Sequence, residues 1–138
     1  MKTSVHLFVS LVIAAALYPI FHWKVLLILA GGVLIDVDHY IWYVLKHKKL
    51  SLFGCYNHFV IEAEKNKWRD IIGSLLIFHT VEFLLAVMLL SFYSELALLF
   101  AIGLLPHYLL DAIHMYTVPK RLVASISLVS WIAKNIPH

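Results

Sequence analysis

The chain has 138 residues, enough for one domain. Apolar residues make up 62% of it and charged residues 14%, and the mean hydropathy is +0.88, which excludes an ordinary water-soluble domain of this size. The net charge of +3 comes from lysines and arginines in short segments between apolar runs, a placement that fits contact with lipid head groups and argues against nucleic acid.

Taken in chain order, the first apolar run covers 4–21 and is just long enough to span a hydrocarbon core of ~30 Å. Lys2 and the Ala14-Ala15-Ala16 stretch also suit a signal peptide, but His6 inside the apolar part argues against one. The second run, 24–45, starts very apolar, passes Gly31-Gly32, meets Asp36, Asp38 and His39, and resumes with aromatic residues suited to an interface. A polar loop over 46–70 carries Lys46, Lys48, Lys49, Lys65, Lys67 and Arg69. A third run follows at 71–93 and a fourth at 96–118, closed by Pro119-Lys120-Arg121. The last apolar stretch, 122–136, is diluted by serines and either makes a short fifth helix or lies in the interface. The expected fold is therefore all-α: a single transmembrane domain of four helices plus this short C-terminal element. Basic residues crowd between runs two and three and after run four, and none lies between runs three and four. The positive-inside rule then sets the N-terminus and the 46–70 loop in the cytoplasm and the protein in a plasma (inner) membrane.

Several side chains do not belong in lipid. Asp36, Asp38, Glu82 and Asp111 lie inside apolar runs, as do His6, His39, His79, His107 and His114. Each intramembrane charge costs roughly 2.5–3.5 kcal/mol on insertion scales, so the acids are expected to share a compensating cation. His107, Asp111 and His114 recur at i, i+4 and i+7 on one helix face; His79 and Glu82, and Asp36 and His39, pair at i, i+3. Asp38 points elsewhere on a regular helix unless the Gly31-Gly32 pair loosens it. With the topology above, these positions fall roughly 5–17 Å below one surface at ~1.5 Å per residue. Imidazole and carboxylate donors together suit zinc, manganese or iron, and the number of candidate ligands allows one to three ions. Cys55 stands alone, which excludes an internal disulfide and a multi-cysteine zinc site. His58, in the polar loop, reads as a solvated residue or as a cap over the site, and His22, His47 and His138 as surface residues. Glu62 and Glu64 read as part of a solvated face, and the Trp and Tyr residues as interface anchors.

In this order the motifs resemble those of the bacterial and archaeal membrane-bound metal-dependent hydrolases. That family includes the LexA-regulated inner-membrane hydrolase-like proteins and is thought to be distantly related to zinc-dependent phospholipase C and the single-strand-specific zinc nucleases. The resemblance runs from His6 through Gly31-Gly32-Val33-Leu34-Ile35-Asp36-Val37-Asp38-His39 and Phe78-His79-Thr80 to His107-Tyr108-Leu109-Leu110-Asp111. Ile35 stands where the family has proline, the central motif lacks the family's arginine, and His114 stands where a threonine is expected. The resemblance implies a prokaryotic membrane hydrolase with bound zinc, acting on a phosphoester or ester of a membrane lipid at the cytoplasmic leaflet. On this reading His6, Asp36, Asp38, His79, His107, Asp111 and His114 are metal ligands or their partners, and Glu82, Asp38 and His39 do the acid–base work. Three other functions use the same residues: a metal-ion or proton-coupled transporter, a metal-binding membrane protein without hydrolase activity, and a haem-binding bundle with His79 and His107 as axial ligands.

Overall fold

The computed structural model describes residues 2–62, 65, 68–69, 71–117 and 124–135. The loop residues Glu64, Lys67 and Asp70, the closing Pro119-Lys120-Arg121 and His138 lie outside the described residues, as does the side chain of Glu62. The fold is all-α. Helix α1 runs Thr3–Phe21. His22, at φ 49° and ψ −134°, ends it, and a 3-10 turn at His22–Val25 leads the chain into α2, Leu26–Val33. A second 3-10 turn, Leu34–Asp36, separates α2 from α3, Val37–His47. Helix α4, Leu52–Asn57, runs on into a π-helical turn at His58–Glu62, and later in the chain come α5, Val81–Ser91, and α6, Glu95–Thr117. The last helix, α7, is Leu128–Asn135.

Among the described residues, two segments are long and apolar enough to cross a membrane: Thr3–His47, which contains the reversal at His22, and Glu95–Thr117. Many large apolar side chains lie on the outside, while several polar ones are buried beside the apolar core. Phe8, Val12, Ile20, Leu34, Leu89 and Leu109 are each more than half exposed, whereas His6, Ser10, Asp38, Thr80 and His107 are buried.

Helices α2 and α6 pack with almost no space between their backbones. A Cβ on Gly31 would collide with the carbonyl oxygen of Phe100, and one on Gly103 with that of Ile28. Small residues at a crossing let two helices approach this closely, which is how membrane helices commonly associate. Two small cores flank the crossing: Ala14, Val25, Ile28 and Leu99 on one side, and Ile35, Val87, Ala101 and Leu104 on the other. Gly31 and Gly32 are regular α2 residues; the loosening that the sequence left open for them comes just after, at Val33 (φ −134°, ψ −47°) and the 3-10 turn.

Run three departs from the sequence reading, whereas the C-terminal stretch forms the short helix that reading offered. Run three is a helix only over Val81–Ser91, 11 residues or about 16 Å. Before it, the chain passes turns, the isolated bridge residue Leu75 and a 3-10 turn at Ile77–His79. Thr80, extended at φ −88° and ψ 150°, caps α5 by accepting from the Phe83 N–H. The unwinding has a physical cause: Asp38 captures both the Phe78 N–H and the His79 ring, contacts that a helix through this stretch would forfeit. The C-terminal stretch forms a helix of only eight residues, about 12 Å, which is short of a span. Its extended lead, residues 124–127, docks on the unwound segment through Ser125 N–H to Ser74 O and Val81 N–H to Ile126 O, both 2.8 Å.

The crossing gives a direct test. Gly103→Val is expected to destabilise the protein by about 1–3 kcal/mol through backbone displacement, read as a lower unfolding midpoint in detergent. Leu109→Ala, at an outward position, is expected to stay within ±0.5 kcal/mol.

Candidate metal centre

Four segments converge on one point: α1 brings His6, the turn before α3 brings Asp36, the unwound segment brings His79, and α6 brings His107 and Asp111. His79 Nε2 and His107 Nε2 are 3.0 Å apart. Asp36 Oδ1 lies 3.6 Å from each of them, and Asp111 Oδ2 lies 3.2 Å from His107 Nε2 and 3.6 Å from His79 Nε2. Two donors on a tetrahedral ion with bonds of ~2.0–2.1 Å stand roughly 3.3 Å apart, so these spacings match the edges of such a site.

The hydrogen bonds decide which nitrogen of each ring carries a lone pair. His107 Nδ1 faces the carbonyl of Gly32 at 2.9 Å, and a carbonyl only accepts, so Nδ1 is the donor and Nε2 is bare in the neutral ring. Gly32 sits in the last turn of α2, where carbonyls have no helical partner, and the close α2–α6 crossing brings it within reach of His107 one turn beyond Gly103. His79 Nδ1 stands 3.0 Å from Asp38 Oδ2, which also accepts the Phe78 N–H at 3.0 Å. Its Nε2 is bare in turn. A carboxylate or carbonyl behind each imidazole is the usual arrangement for metal-ligating histidine. Two bare nitrogens 3.0 Å apart repel unless a cation lies between them.

The same test sorts the remaining histidines. His6 Nε2 is 3.2 Å from Asp111 Oδ1, its ring stacks on His107 with centroids 3.9 Å apart, and its Nδ1 has no hydrogen-bond partner among the described residues. Donation from Nε2–H to Asp111 leaves no buried N–H unsatisfied, whereas ligation through Nε2 would orphan the Nδ1–H. His6 is therefore better suited to orient Asp111 than to hold an ion. His39 Nδ1 is 3.0 Å from Asp38 Oδ1 and 3.5 Å from Asp36 Oδ1, and its half-buried ring lines a cavity. Asp38 thus stands behind both His39 and His79.

Among the described residues, three groups of side chains are able to hold a metal ion: Asp36 with His79 and His107, His6 with His107 and Asp111, and Asp38 with His39 and His79. The geometry does not bring Glu82 or His114 to this centre. Glu82, expected as a base or ligand, accepts from Ser127 Oγ at 2.7 Å and from the backbone N–H groups of Leu128 and Val129 at 2.9 and 3.2 Å. A carboxylate satisfies the first turn of α7 in this way, which explains why an acid stands in this apolar run without belonging to the cluster. His114 lies on the cavity wall beside Trp68, with ring centroids 6.1 Å apart. His58 is not solvated: it is 3% exposed, packed among Trp42, Tyr43, His47 and Phe59 because the chain after α3 folds back onto that helix. His47, read as a surface residue, is half-buried in the same cluster. Cys55 is buried, and burial pushes its thiol up to about 11, with the Asp36 carboxylate adding to the shift. It is not a ready thiolate ligand.

The centre opens on a cavity of 560 Å³ whose floor is Asp36, His39, His79 and Asp111. Its walls are largely apolar, with Phe59, Trp68, Ile71, Leu76 and Ile126 among them. Tyr108, grouped in the sequence with the interface anchors, also lines the cavity: its one O–H proton is shared between Phe78 O at 2.7 Å and Thr80 O at 2.9 Å. The available signal was a phenol next to His107 in the middle of an apolar helix, where a hydroxyl needs an acceptor. No family model, curated protein or solved structure matches the chain.

These partners make opposite predictions for two acids. Glu82→Gln is expected to retain metal at the wild-type level. Asp38→Ala, which removes the acceptor behind His79, is expected to weaken binding about 10–100-fold, measured by competition with a chromogenic chelator.

Proposed function

We propose that this protein is a membrane-embedded, divalent-metal-dependent hydrolase of a lipid ester or phosphoester. The observation that carries the reading is the facing pair of bare Nε2 atoms, flanked by Asp36 and Asp111, at the floor of an apolar cavity. The order of motifs, that of the membrane-bound metal-dependent hydrolases, adds to it. For the membrane, the reading is four passes: α1, then α2 with α3, then 71–93, then α6. The apolar outer faces and the internal hydrogen bonding of the unwound stretch support this. The topology drawn from the lysines sets the cavity in the cytoplasmic half.

Asp36, His79, His107 and Asp111 are the residues that would hold the ion, and their mixed nitrogen and oxygen donors favour zinc, with manganese or iron as alternatives. Because His6 is suited to orient Asp111, and because the Nδ1 protons of His39 and His79 already go to Asp38, one ion is favoured over two or three. When bound, the ion supplies Lewis acidity, stabilising negative charge on a substrate oxygen and easing deprotonation of water. The chain's own groups do the rest. Asp38 and the Gly32 carbonyl aim His79 and His107, and His6 fixes Asp111. His39, whose Nδ1–H goes to Asp38, has its Nε2 free to take a proton from attacking water and return it to the leaving oxygen. The apolar walls hold the hydrocarbon part of the substrate and exclude bulk water.

A second reading has a specific observation behind it: a proton shared by His79 and His107 would also relieve the 3.0 Å contact, and would suit a proton-coupled transporter. The haem-binding reading is set aside, since no porphyrin plane fits between nitrogens this close. Metal content decides between the first two. Detergent-purified protein is expected to carry about one equivalent of a transition metal, lost in His107→Ala and Asp111→Ala, and to release product from lipid ester or phosphoester substrates. Protein without metal, or with metal unchanged in both variants, would sink the hydrolase reading and leave the shared proton as the better one.

A further inference from the structure

His79 ends a single 3-10 turn, Ile77–His79, outside any longer helix or strand, so contacts from other segments must help to fix its aim. Asp38 holds both the ring nitrogen Nδ1 and the Phe78 N–H, which fixes the stretch from one side. The two carbonyls on either side of His79, those of Phe78 and Thr80, both face the hydroxyl of Tyr108, at 2.7 and 2.9 Å. The Tyr108 ring also lies nearly parallel to the His79 imidazole, with centroids 6.1 Å apart and planes 21° from one another. Tyr108 follows His107 directly on α6, so the residue that presents one imidazole is the immediate neighbour of the residue that grips the other. On the far side of the same stretch, Ile126 O accepts the Val81 N–H.

We infer that Tyr108 is a positioning residue: its hydroxyl clamps the backbone on both sides of His79 and so sets the distance between His79 Nε2 and His107 Nε2. The clamp replaces the ladder of hydrogen bonds that a helix would have provided. The Phe78 carbonyl, freed by the unwinding, needs a donor, and Tyr108 supplies it from the neighbouring helix; the Thr80 carbonyl, which also accepts the Leu84 N–H at 3.2 Å, is gripped by the same hydroxyl. Because the hydroxyl belongs to α6, any shift of α6 moves both imidazoles together, and their separation is conserved. Removing the hydroxyl leaves the Phe78 and Thr80 carbonyls without this donor and frees His79 to turn away.

The test uses Tyr108→Phe, which keeps the ring, with Tyr116→Phe on the exposed face of the same helix as the control. Two readouts are taken on the full chain in detergent. Amide hydrogen exchange needs no metal: peptides covering 77–82 are expected to exchange about tenfold faster in Tyr108→Phe, with α6 protection unchanged. Binding of zinc, the only part that rests on the metal reading above, is expected to weaken about 10–100-fold, the usual loss when a group behind a ligand is removed. Tyr116→Phe is expected to change neither. Unchanged exchange over 77–82 in Tyr108→Phe would overturn the inference, as would wild-type zinc affinity in that variant. Absence of zinc binding in the wild type itself would overturn the proposed metal function instead, and the exchange result would still decide the role of Tyr108.

Discussion

The His79 and His107 Nε2 atoms stand 3.0 Å apart, and when both rings are neutral the acceptors behind them leave neither nitrogen with a proton to offer the other. In a medium with little water to intervene, two lone pairs at that distance require a positive charge, and the surroundings are arranged to hold one. Asp36 and Asp111 supply negative oxygens on the same point, while Asp38, the Gly32 carbonyl and His6 fix the groups that touch it. The glycine crossing serves the same end. Only because α2 and α6 nearly touch at Gly31 and Gly103 does a last-turn carbonyl of one helix lie within hydrogen-bonding distance of an imidazole on the other.

The unwound stretch before α5 is the counterpart of that constraint. A regular helix through 71–93 would span more of a bilayer but would forfeit the contacts of Asp38 with the Phe78 backbone and the His79 ring. The chain takes the second option, and its exposed polar backbone finds donors and acceptors inside the protein. Phe78 N–H goes to Asp38, Phe78 O and Thr80 O to Tyr108, Ser74 O to Ser125 N–H, and Gly73 O to the indole of Trp131. The C-terminal stretch is tied to the same place through Glu82, whose carboxylate receives the first turn of α7. An acid that looks like a catalytic group in the sequence is thereby a structural one. The spacing from His79 put it on the right face of a helix that, at His79, does not exist.

Much of the candidate centre is legible in the sequence, because polar residues in apolar runs are few and costly. His107 and Asp111 share a helix face by spacing alone, and the cost of isolated charges in lipid argues that Asp36, Asp38 and Asp111 converge with histidines. That argument finds the cluster but not the part each residue plays. His6, Asp38 and His39 carry the same donor chemistry as His79 and His107, and nothing in their order says which nitrogens end up bare. Tyr108 was invisible for the opposite reason: a tyrosine in an apolar helix is ordinary, and its importance comes from two carbonyls 28 and 30 residues away.

The sequence by itself determined the helical class, the long apolar segments and the set of acids and histidines, since these follow from local periodicity and from the cost of putting charge in an apolar medium. Tertiary structure decided where helices stop, which carboxylates face the centre and which nitrogen of each ring is free. Those outcomes depend on hydrogen bonds between segments tens of residues apart. Asp38 can unwind the chain at Phe78 only once α3 lies beside it, and that proximity is a property of the packed bundle, not of any local stretch.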